Sequence, residues 1–304
     1  FINIASVLAI YLYARNSPAV GRAVPVAVTI AVSVVIGFVF WEKFVSPIGI
    51  KGGFGNMNFL AEYLMLAFPF IALFAFRFPL AWVIAGAALI VMFSATGSRM
   101  PYVGLLAVGV ALLWRHYRAR VTWSIAAPVA VLGLAALLLL MAASIDQPIW
   151  ASISSRLEIW VNSAFLVIDR PLRGWGLGGF SYEYDRVQGM HLSVLPWLFP
   201  DPTILRQTGS YVGSAHNELV QVFVETGLIG LFLSCLVVYQ AIKTVSWLKP
   251  AGLVLLMGAA MSMVEFPLHN SSTAVLMACA LGIATRDAKP VFVIRLLRLV
   301  SPVP

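Results

Sequence analysis

Runs of about 20 apolar residues, separated by short polar stretches, occupy most of this chain, and a run of that length is what an α-helix needs to cross a bilayer. Within lipid a segment must satisfy its own backbone hydrogen bonds, which favours helices. The composition agrees, because 61% of the residues are hydrophobic and 11% are charged, whereas about 25% are charged in a soluble domain. The sequence therefore predicts an all-α, polytopic membrane helical bundle.

Nine segments are predicted as spans: 2–14, 23–41, 58–76, 78–96, 101–114, 121–143, 219–242, 250–266 and 270–285. The predicted organisation is transmembrane helices over 1–143, a periplasmic loop with an amphipathic helix over 144–218, and transmembrane helices with a cytoplasmic tail over 219–304. Residue 1 is Phe and opens an apolar run, so we expect a truncated amino end with further spans upstream. Both cysteines lie in apolar runs, which predicts neither a disulfide framework nor a metal cluster.

The basic residues orient the predicted bundle. Alternate connections between spans carry most of them, which predicts that those connections are cytoplasmic. Eight basic residues fall on the opposite face: Lys43, Lys51, Arg99, Arg156, Arg170, Arg173, Arg186 and Arg206. Six of these eight are arginine, whose guanidinium grips phosphate oxygens in a bidentate fork. Long loops escape the charge rule, which weakens the signal at Arg186 and Arg206, but Arg99 lies in a short turn.

The outer segment contains a predicted amphipathic helix. Ser155 and Glu158 fit a capping box, and the apolar residues that follow have helical spacing over about 15 residues. We expect this helix to lie in the interface with Trp160 at headgroup depth. Arg156 would then occupy the first turn, where backbone N–H groups also favour an anion; the alternative is an arginine that merely reaches the bilayer surface.

A glycine-rich run, GWGLGG at 174–179, follows that helix. It is not interpreted as a nucleotide-binding loop, because it follows a helix and not a strand and lies on the outer face. Its glycines indicate tight backbone turns beneath the membrane surface.

The outer end of the predicted span at 219–242 is polar. His216 precedes it, and Asn217, Gln221 and Glu225 form one stripe at intervals of four. A carboxylate in a span costs at least ~2.5 kcal/mol, so the stripe is expected to face the bundle or a wet cavity; hydrogen bonding between helices is the alternative for Gln221 and Glu225.

Two other spans carry polar pairs at the same outer level, namely Asn58 with Glu62 and Glu265 with His269. Together with His216 they predict a site at the membrane surface. Gly227 and Gly230 are expected to let a neighbouring helix pack closely just below it.

Four stretches resemble the O-antigen ligase and polymerase superfamily of bacterial envelope glycosyltransferases. The first is His216–Asn217, nine residues, and then Gly227-Leu-Ile-Gly230. The others are TGSRMPYVGLL at 96–106, RLEIWVNSAFLVIDRPLRGWGLGGF at 156–180 and FGNMNFLAEYL at 54–64, with Met57 where the family often has Pro. They occur in the family's order and cover most of the chain.

The resemblance implies transfer of a glycan from undecaprenyl diphosphate to an acceptor hydroxyl outside the bacterial inner membrane, without metal, ATP or cofactor. The implied partners are that donor, membrane lipids, and a lipid A-core or protein acceptor, with no nucleic acid. His216 is then the candidate general base, and Arg99 and Arg156 are the candidate cations for the leaving diphosphate. Asn217 or Glu218 is expected to orient the imidazole. Further substrate-binding candidates are Asn217, Arg173, Arg206, Glu225 and Asn58.

Three reactions remain open within that family: ligation of O-antigen to lipid A-core, glycan polymerisation, and protein O-glycosylation of pilin type. The His-Asn spacing favours the ligase. An anionic-lipid transporter or a structural scaffold is a more remote alternative; a transporter is typically built from internal repeats with charges near the midplane, and the sequence shows neither.

Overall fold

The computed structural model describes residues 4–45, 51–117, 149–190 and 212–287, and every regular element in that part of the chain is helical. We number the α-helices in chain order: α1 Ile4–Asn16, α2 Pro18–Val45, α3 Met57–Ala75, α4 Ala81–Ile90, α5 Met100–Tyr117, α6 Ile149–Asp169, α7 Phe180–Val187, α8 Glu218–Thr244, α9 Pro250–Met261 and α10 Ser271–Ala284. A π-helical turn, Val91–Ala95, extends α4. The all-α prediction is therefore confirmed for the described residues.

Helix α3 is the centre of the larger packed unit. It contacts α2, α4, α5, α9 and α10, and Leu60, Leu64 and Leu66 on it are fully buried. Small residues allow α3 and α5 to approach closely, since a Cβ on Gly104 of α5 would lie 2.9 Å from the side chain of Met65 on α3. Contacts between small residues are a usual basis for helix association in membranes, where lipid is as apolar as the side chains.

Within the described part of the chain, three helices are long and apolar enough to cross a membrane: α2, α3 and α8. Four further apolar helices are shorter, at Ala81–Ser94, Pro101–Ala111, Pro250–Met261 and Ser271–Ala284. The nine predicted spans are thus reproduced only in part, and the predicted span at 121–143 lies outside the described residues. The second half of α8 exposes Phe232, Leu236 and Tyr239 by 60%, 44% and 50%, which suits apolar surroundings. The protein is a membrane protein.

Helices α6, α7 and α8 form a second cluster around Leu166, Phe180, Tyr184 and Val224, which are almost fully buried. The predicted capping box at Ser155 and Glu158 is wrong, because α6 already begins at Ile149 and both residues lie inside it. Glu158 is 5% exposed, and burial raises the pKa of its carboxyl above the usual value. Arg156 consequently lies in the helix body and not in its first turn.

The Trp160 side chain belongs to this cluster as well. Its indole Nε1–H donates to the Ala215 carbonyl oxygen at 2.9 Å. The hydrogen bond ties α6 to the residue immediately before His216.

Candidate active site

Helix α8 is broken at Gly227, and the glycine-rich loop after α6 fills the break. Gly227 has φ 65° and ψ −167°, which interrupts the helical hydrogen bonds. Loop backbone groups replace them: the N–H groups of Trp175 and Gly176 donate to the carbonyl oxygens at 224 and 225, at 3.0 and 2.8 Å. In return, the N–H groups of residues 228 and 229 donate to the carbonyl oxygens of 171 and 172, at 2.8 and 3.3 Å. The partner of Gly227 is thus a loop, and the prediction of a packed helix there is wrong.

Glycine is required on both sides of this contact. A Cβ on Gly227 would lie 2.3 Å from the Leu172 carbonyl carbon, and one on Gly174 would lie 2.5 Å from the Val224 oxygen. Both residues also have positive φ, at 65° and 64°, a conformation that only glycine adopts readily. The two glycine motifs of the sequence are therefore the two halves of one backbone joint.

We expect Gly227→Ala to unfold the joint, because the Cβ overlap adds to the cost, about 1–3 kcal/mol, of a backbone conformation essentially restricted to glycine. The measurement is thermal unfolding in detergent together with limited proteolysis of the loop at 170–179. Gly86→Ala is the matched control, since a Cβ there would meet nothing within 4 Å, and its transition should stay at or above that of the wild type. An unchanged melting profile for Gly227→Ala would contradict the joint.

Trp175 anchors the same loop between two arginines. The guanidinium carbons of Arg170 and Arg186 lie 4.0 and 4.5 Å from its ring centroid, a cation–π geometry. The indole N–H donates to the Leu166 carbonyl oxygen at 2.9 Å. Arg186 also pairs with Asp169 at 2.9 Å, so these two arginines stabilise the loop.

His216 stands at a sharp bend before α8. Its φ of 49° is the only positive value at a non-glycine position among the described residues. Backbones held in this region are uncommon and cluster at functional sites. The imidazole is 33% exposed, so it is reachable from outside the protein.

A single carboxylate connects His216 with Arg156. Glu265, which is 1% exposed, lies with Oε2 at 2.9 Å from the His216 Nδ1 and with Oε1 at 2.6 Å from the Arg156 Nη2. The Arg156 Nε–H also donates to the Val264 carbonyl oxygen at 3.0 Å. A carboxylate accepts from an imidazole N–H, so in a neutral imidazole this contact favours the proton on Nδ1 and the lone pair on Nε2. That is the tautomer a general base would need.

This partner differs from the one expected for His216. Asn217 and Glu218 were the predicted orienting groups, whereas the structure places Glu265 on the ring. The sequence does place Glu265 at the same outer level as His216, but only the bend at 262–270 brings the two side chains together.

Arg99 completes the group of cations. It follows the π-helical turn and precedes α5. Burial, and then the positive charge of Arg156, lower the pKa of its guanidinium from the usual value, although arginine stays protonated in proteins. Arg156 thus lies near enough for its charge to act on Arg99.

The side chains of the predicted polar stripe form hydrogen bonds within the protein. Asn217 is the N-cap of α8, accepting from the N–H groups of Leu219 and Val220, and its Nδ2 donates to the Met263 carbonyl oxygen at 2.8 Å. Gln221 accepts from the Ala215 N–H and donates to Glu225 Oε1, both at 2.7 Å. Gln221 and Glu225 are buried, so these contacts hold the residues around His216 in place.

The remaining candidates are dispersed. Arg173 is exposed on the docked loop, and Arg206 lies outside the described residues. Asn58 is half-buried in the first turn of α3, next to Phe59, whose ring meets Phe266 edge-on at 5.4 Å. Glu62, one turn further, is fully buried, and its carboxylate has no hydrogen-bond partner among the described residues.

A second Glu–His pair lies beside the first. His269 Nδ1 is 3.2 Å from Glu218 Oε2, and Glu218 Oε1 accepts from the Leu268 N–H at 2.8 Å. Burial alone would lower the pKa of His269, but the hydrogen bond to Glu218 and the charges of Glu218 and Glu225 outweigh it and raise the pKa above its usual value. The Phe266 ring contacts both imidazoles.

Residues 80–235 match the family model described as O-antigen ligase. This is half of the chain and includes Arg99, Arg156, His216 and the glycine joint. The chain belongs to the O-antigen ligase family, which makes it a glycosyltransferase-type enzyme of the O-antigen ligase or polymerase kind. Comparison with curated proteins gives no match.

Proposed function

We propose that the protein is an O-antigen ligase that transfers a glycan from undecaprenyl diphosphate to a hydroxyl of lipid A-core, with neither metal nor ATP. The observation that carries this proposal is the Glu265 carboxylate between His216 and Arg156. It joins a base with a defined tautomer to a fixed cation, which is what attack by a hydroxyl on a sugar diphosphate needs.

In the proposed reaction the acceptor oxygen attacks the anomeric carbon of the donor, and its proton passes to Nε2 of His216. The bond between the anomeric carbon and the phosphate oxygen breaks, and its electron pair leaves with undecaprenyl diphosphate. Arg99 and Arg156 oppose the charge that develops on that leaving group. Arg99 and Arg156 supply two positive charges beside the Glu265 carboxylate, with which Arg156 pairs directly.

The proposed setting is the bacterial inner membrane, crossed by about nine spans, with the site on the periplasmic face. The apolar helices support a membrane setting, and the basic residues in the alternate connections, which the positive-inside rule assigns to the cytoplasm, support this orientation. Residues 144–218 then form the periplasmic loop, and Arg173 and Arg206 are secondary contacts to the donor or acceptor.

We expect Arg99→Lys and Arg156→Lys each to raise the KM for the lipid-linked donor by about tenfold or more, because a bidentate charge-assisted contact contributes roughly 1.5–3 kcal/mol that a point charge recovers only in part. Initial rates in nanodiscs with varied donor measure this. Arg170→Lys is the matched control, since Arg170 contacts Trp175 in the loop, and its donor KM should not change. Full activity of both lysine variants would exclude bidentate phosphate contact.

The molecule that accepts the glycan distinguishes the three reactions that remain open within this family. Purified enzyme with lipid-linked donor is offered lipid A-core in one reaction, pilin in a second, and donor alone in a third. Glycosylated lipid A-core is the expected product. Modified pilin would assign protein O-glycosylation, and a lengthened lipid-linked glycan would assign polymerisation.

A further inference from the structure

An open cavity lies near the His216 site, and the Phe266 ring contacts both His216 and His269, a residue that lines the cavity. The ring centroids of His216 and Phe266 are 5.0 Å apart, and those of Phe266 and His269 are 6.4 Å apart. His269 lines the cavity, whose volume is about 380 Å³, within the roughly 300–1,000 Å³ of small-ligand sites. The candidate base and a wall of a space large enough for a ligand therefore pack against the same aromatic ring.

The lining of the cavity is polar without fixed charge, apart from the titratable imidazole. The described lining residues include Phe54, Phe59, His269, Asn270, Ser271 and Ser272, and none of those described is Lys, Arg, Asp or Glu. The Asn270 amide nitrogen is buried and has no hydrogen-bond partner among the described residues. Hydroxyl, amide and imidazole groups beside phenyl rings suit an uncharged ligand that is rich in hydroxyls and has apolar faces, which describes a sugar ring. They do not suit a diphosphate, for which the arginines provide the matching charge.

The walls of the cavity are held in place before any ligand binds. Glu42 accepts hydrogen bonds from the backbone N–H groups of residues 51 and 52 at 2.7 and 2.6 Å, which fixes the loop that leads to Phe54. The Phe54 ring packs against Tyr63 with centroids 5.2 Å apart. On the other wall, Glu218 binds both the Leu268 N–H and the His269 ring. A rigid pocket avoids the ordering cost of binding.

We propose that this cavity is the subsite for the sugar that receives the glycan. The inference rests on the proposed glycosyl transfer and adds the location of the acceptor. The donor diphosphate is held at Arg99 and Arg156, while the acceptor ring lies between Phe54, Phe59 and the serines. Its reacting hydroxyl extends past Phe266 to His216 Nε2.

A filled cavity tests the subsite by steady-state kinetics. Ser271 is exposed at the start of α10, so Ser271→Trp introduces bulk into the cavity without disturbing a core. We expect the KM for lipid A-core to rise by about tenfold or more, the equivalent of losing one good contact, with the donor KM and kcat within about twofold. Ser271→Ala, which removes only a hydroxyl, should raise the KM for lipid A-core by a smaller factor. Leu268→Trp is the matched control, because Leu268 is 50% exposed on the same bend but does not line the cavity.

A binding measurement separates this inference from the proposed reaction. Delipidated core oligosaccharide is titrated into the His216→Asn protein and followed by saturation-transfer NMR. Binding of the oligosaccharide should vanish when the Ser271→Trp substitution is combined with His216→Asn, and it should persist when Leu268→Trp is combined with His216→Asn instead. That pattern supports the subsite even if the wild-type enzyme transfers no glycan to lipid A-core, in which case only the proposed function fails. Equal binding by both variants, or a rise in donor KM in place of acceptor KM, would overturn the subsite.

Discussion

Replacing His216 with asparagine should lower kcat for glycan transfer by about 10²–10⁴-fold, the usual contribution of a general base, with little change in the donor KM. Asparagine is the informative substitution because it tolerates the left-handed backbone better than most residues, and His216 has φ 49°. The variant therefore removes the base without adding backbone strain. Single-turnover transfer from lipid-linked donor to lipid A-core, in nanodiscs, measures the chemical step directly.

His216→Ala serves as the comparison for that experiment. It removes the same base but places alanine at a positive φ, so its melting temperature should fall while that of the asparagine variant holds. Wild-type turnover in His216→Asn would falsify the general-base role, whatever the alanine variant does.

Glu265→Gln should lower kcat by about 10²-fold or more, comparable with the loss of a group that fixes a catalytic imidazole or orients a ligand. A glutamine amide has one oxygen and one NH₂ group, so it cannot accept from both the His216 Nδ1–H and the Arg156 guanidinium. One of the two contacts then becomes a clash between two donors. If the NH₂ group turns towards the imidazole, the proton moves to Nε2 and the base is lost. Rates over pH 5–9, with donor and acceptor both saturating, measure the effect.

The activity of a conservative variant distinguishes a role of Glu265 in positioning His216 from simple destabilisation of the protein. Glu265→Asp keeps the charge with a shorter reach and should recover part of kcat, whereas Glu265→Gln should not, although both must melt near the wild-type temperature. Glu42→Gln controls for the loss of a buried carboxylate: Glu42, at 8% exposure, accepts from the backbone N–H groups of residues 51 and 52 and supports the cavity wall, so its loss should act on the acceptor KM and leave kcat unchanged. A Glu265→Gln enzyme with full kcat would show that the carboxylate has no part in positioning His216.

The sequence predicts the general organisation because its strongest signals are local. Hydrophobic runs and basic connections follow from the bilayer, and they indicate helices with His216, Arg99 and Arg156 at one level. The capping box at Ser155 fails because the pattern is satisfied equally inside a longer helix, and α6 already begins at Ile149. Local motifs give no information on how far a helix extends before them.

The contacts within the site could not be derived in the same way. Glu265 is separated from His216 by 49 residues and from Arg156 by 109, so the pairing depends on how the bend after α9 docks against α6. The role of Gly227 was missed for a similar reason, since a glycine in an apolar run indicates helix packing as readily as a backbone joint. The positive φ that distinguishes the two is a property of the folded chain.

The break at Gly227 also divides α8 into two halves with different surroundings. The half before it packs against α6 and is hydrogen-bonded to the loop at 170–179 and to the bend after α9. The half after it is hydrogen-bonded to that loop through residues 228 and 229 and then exposes apolar side chains along its length. Long spans adjust to bilayer thickness by tilting at modest cost. Beyond its bonded first turn, the half after Gly227 can therefore tilt with the thickness of the surrounding membrane while the half that begins beside His216 keeps its register, so we expect the geometry of the site to be insulated from lipid composition.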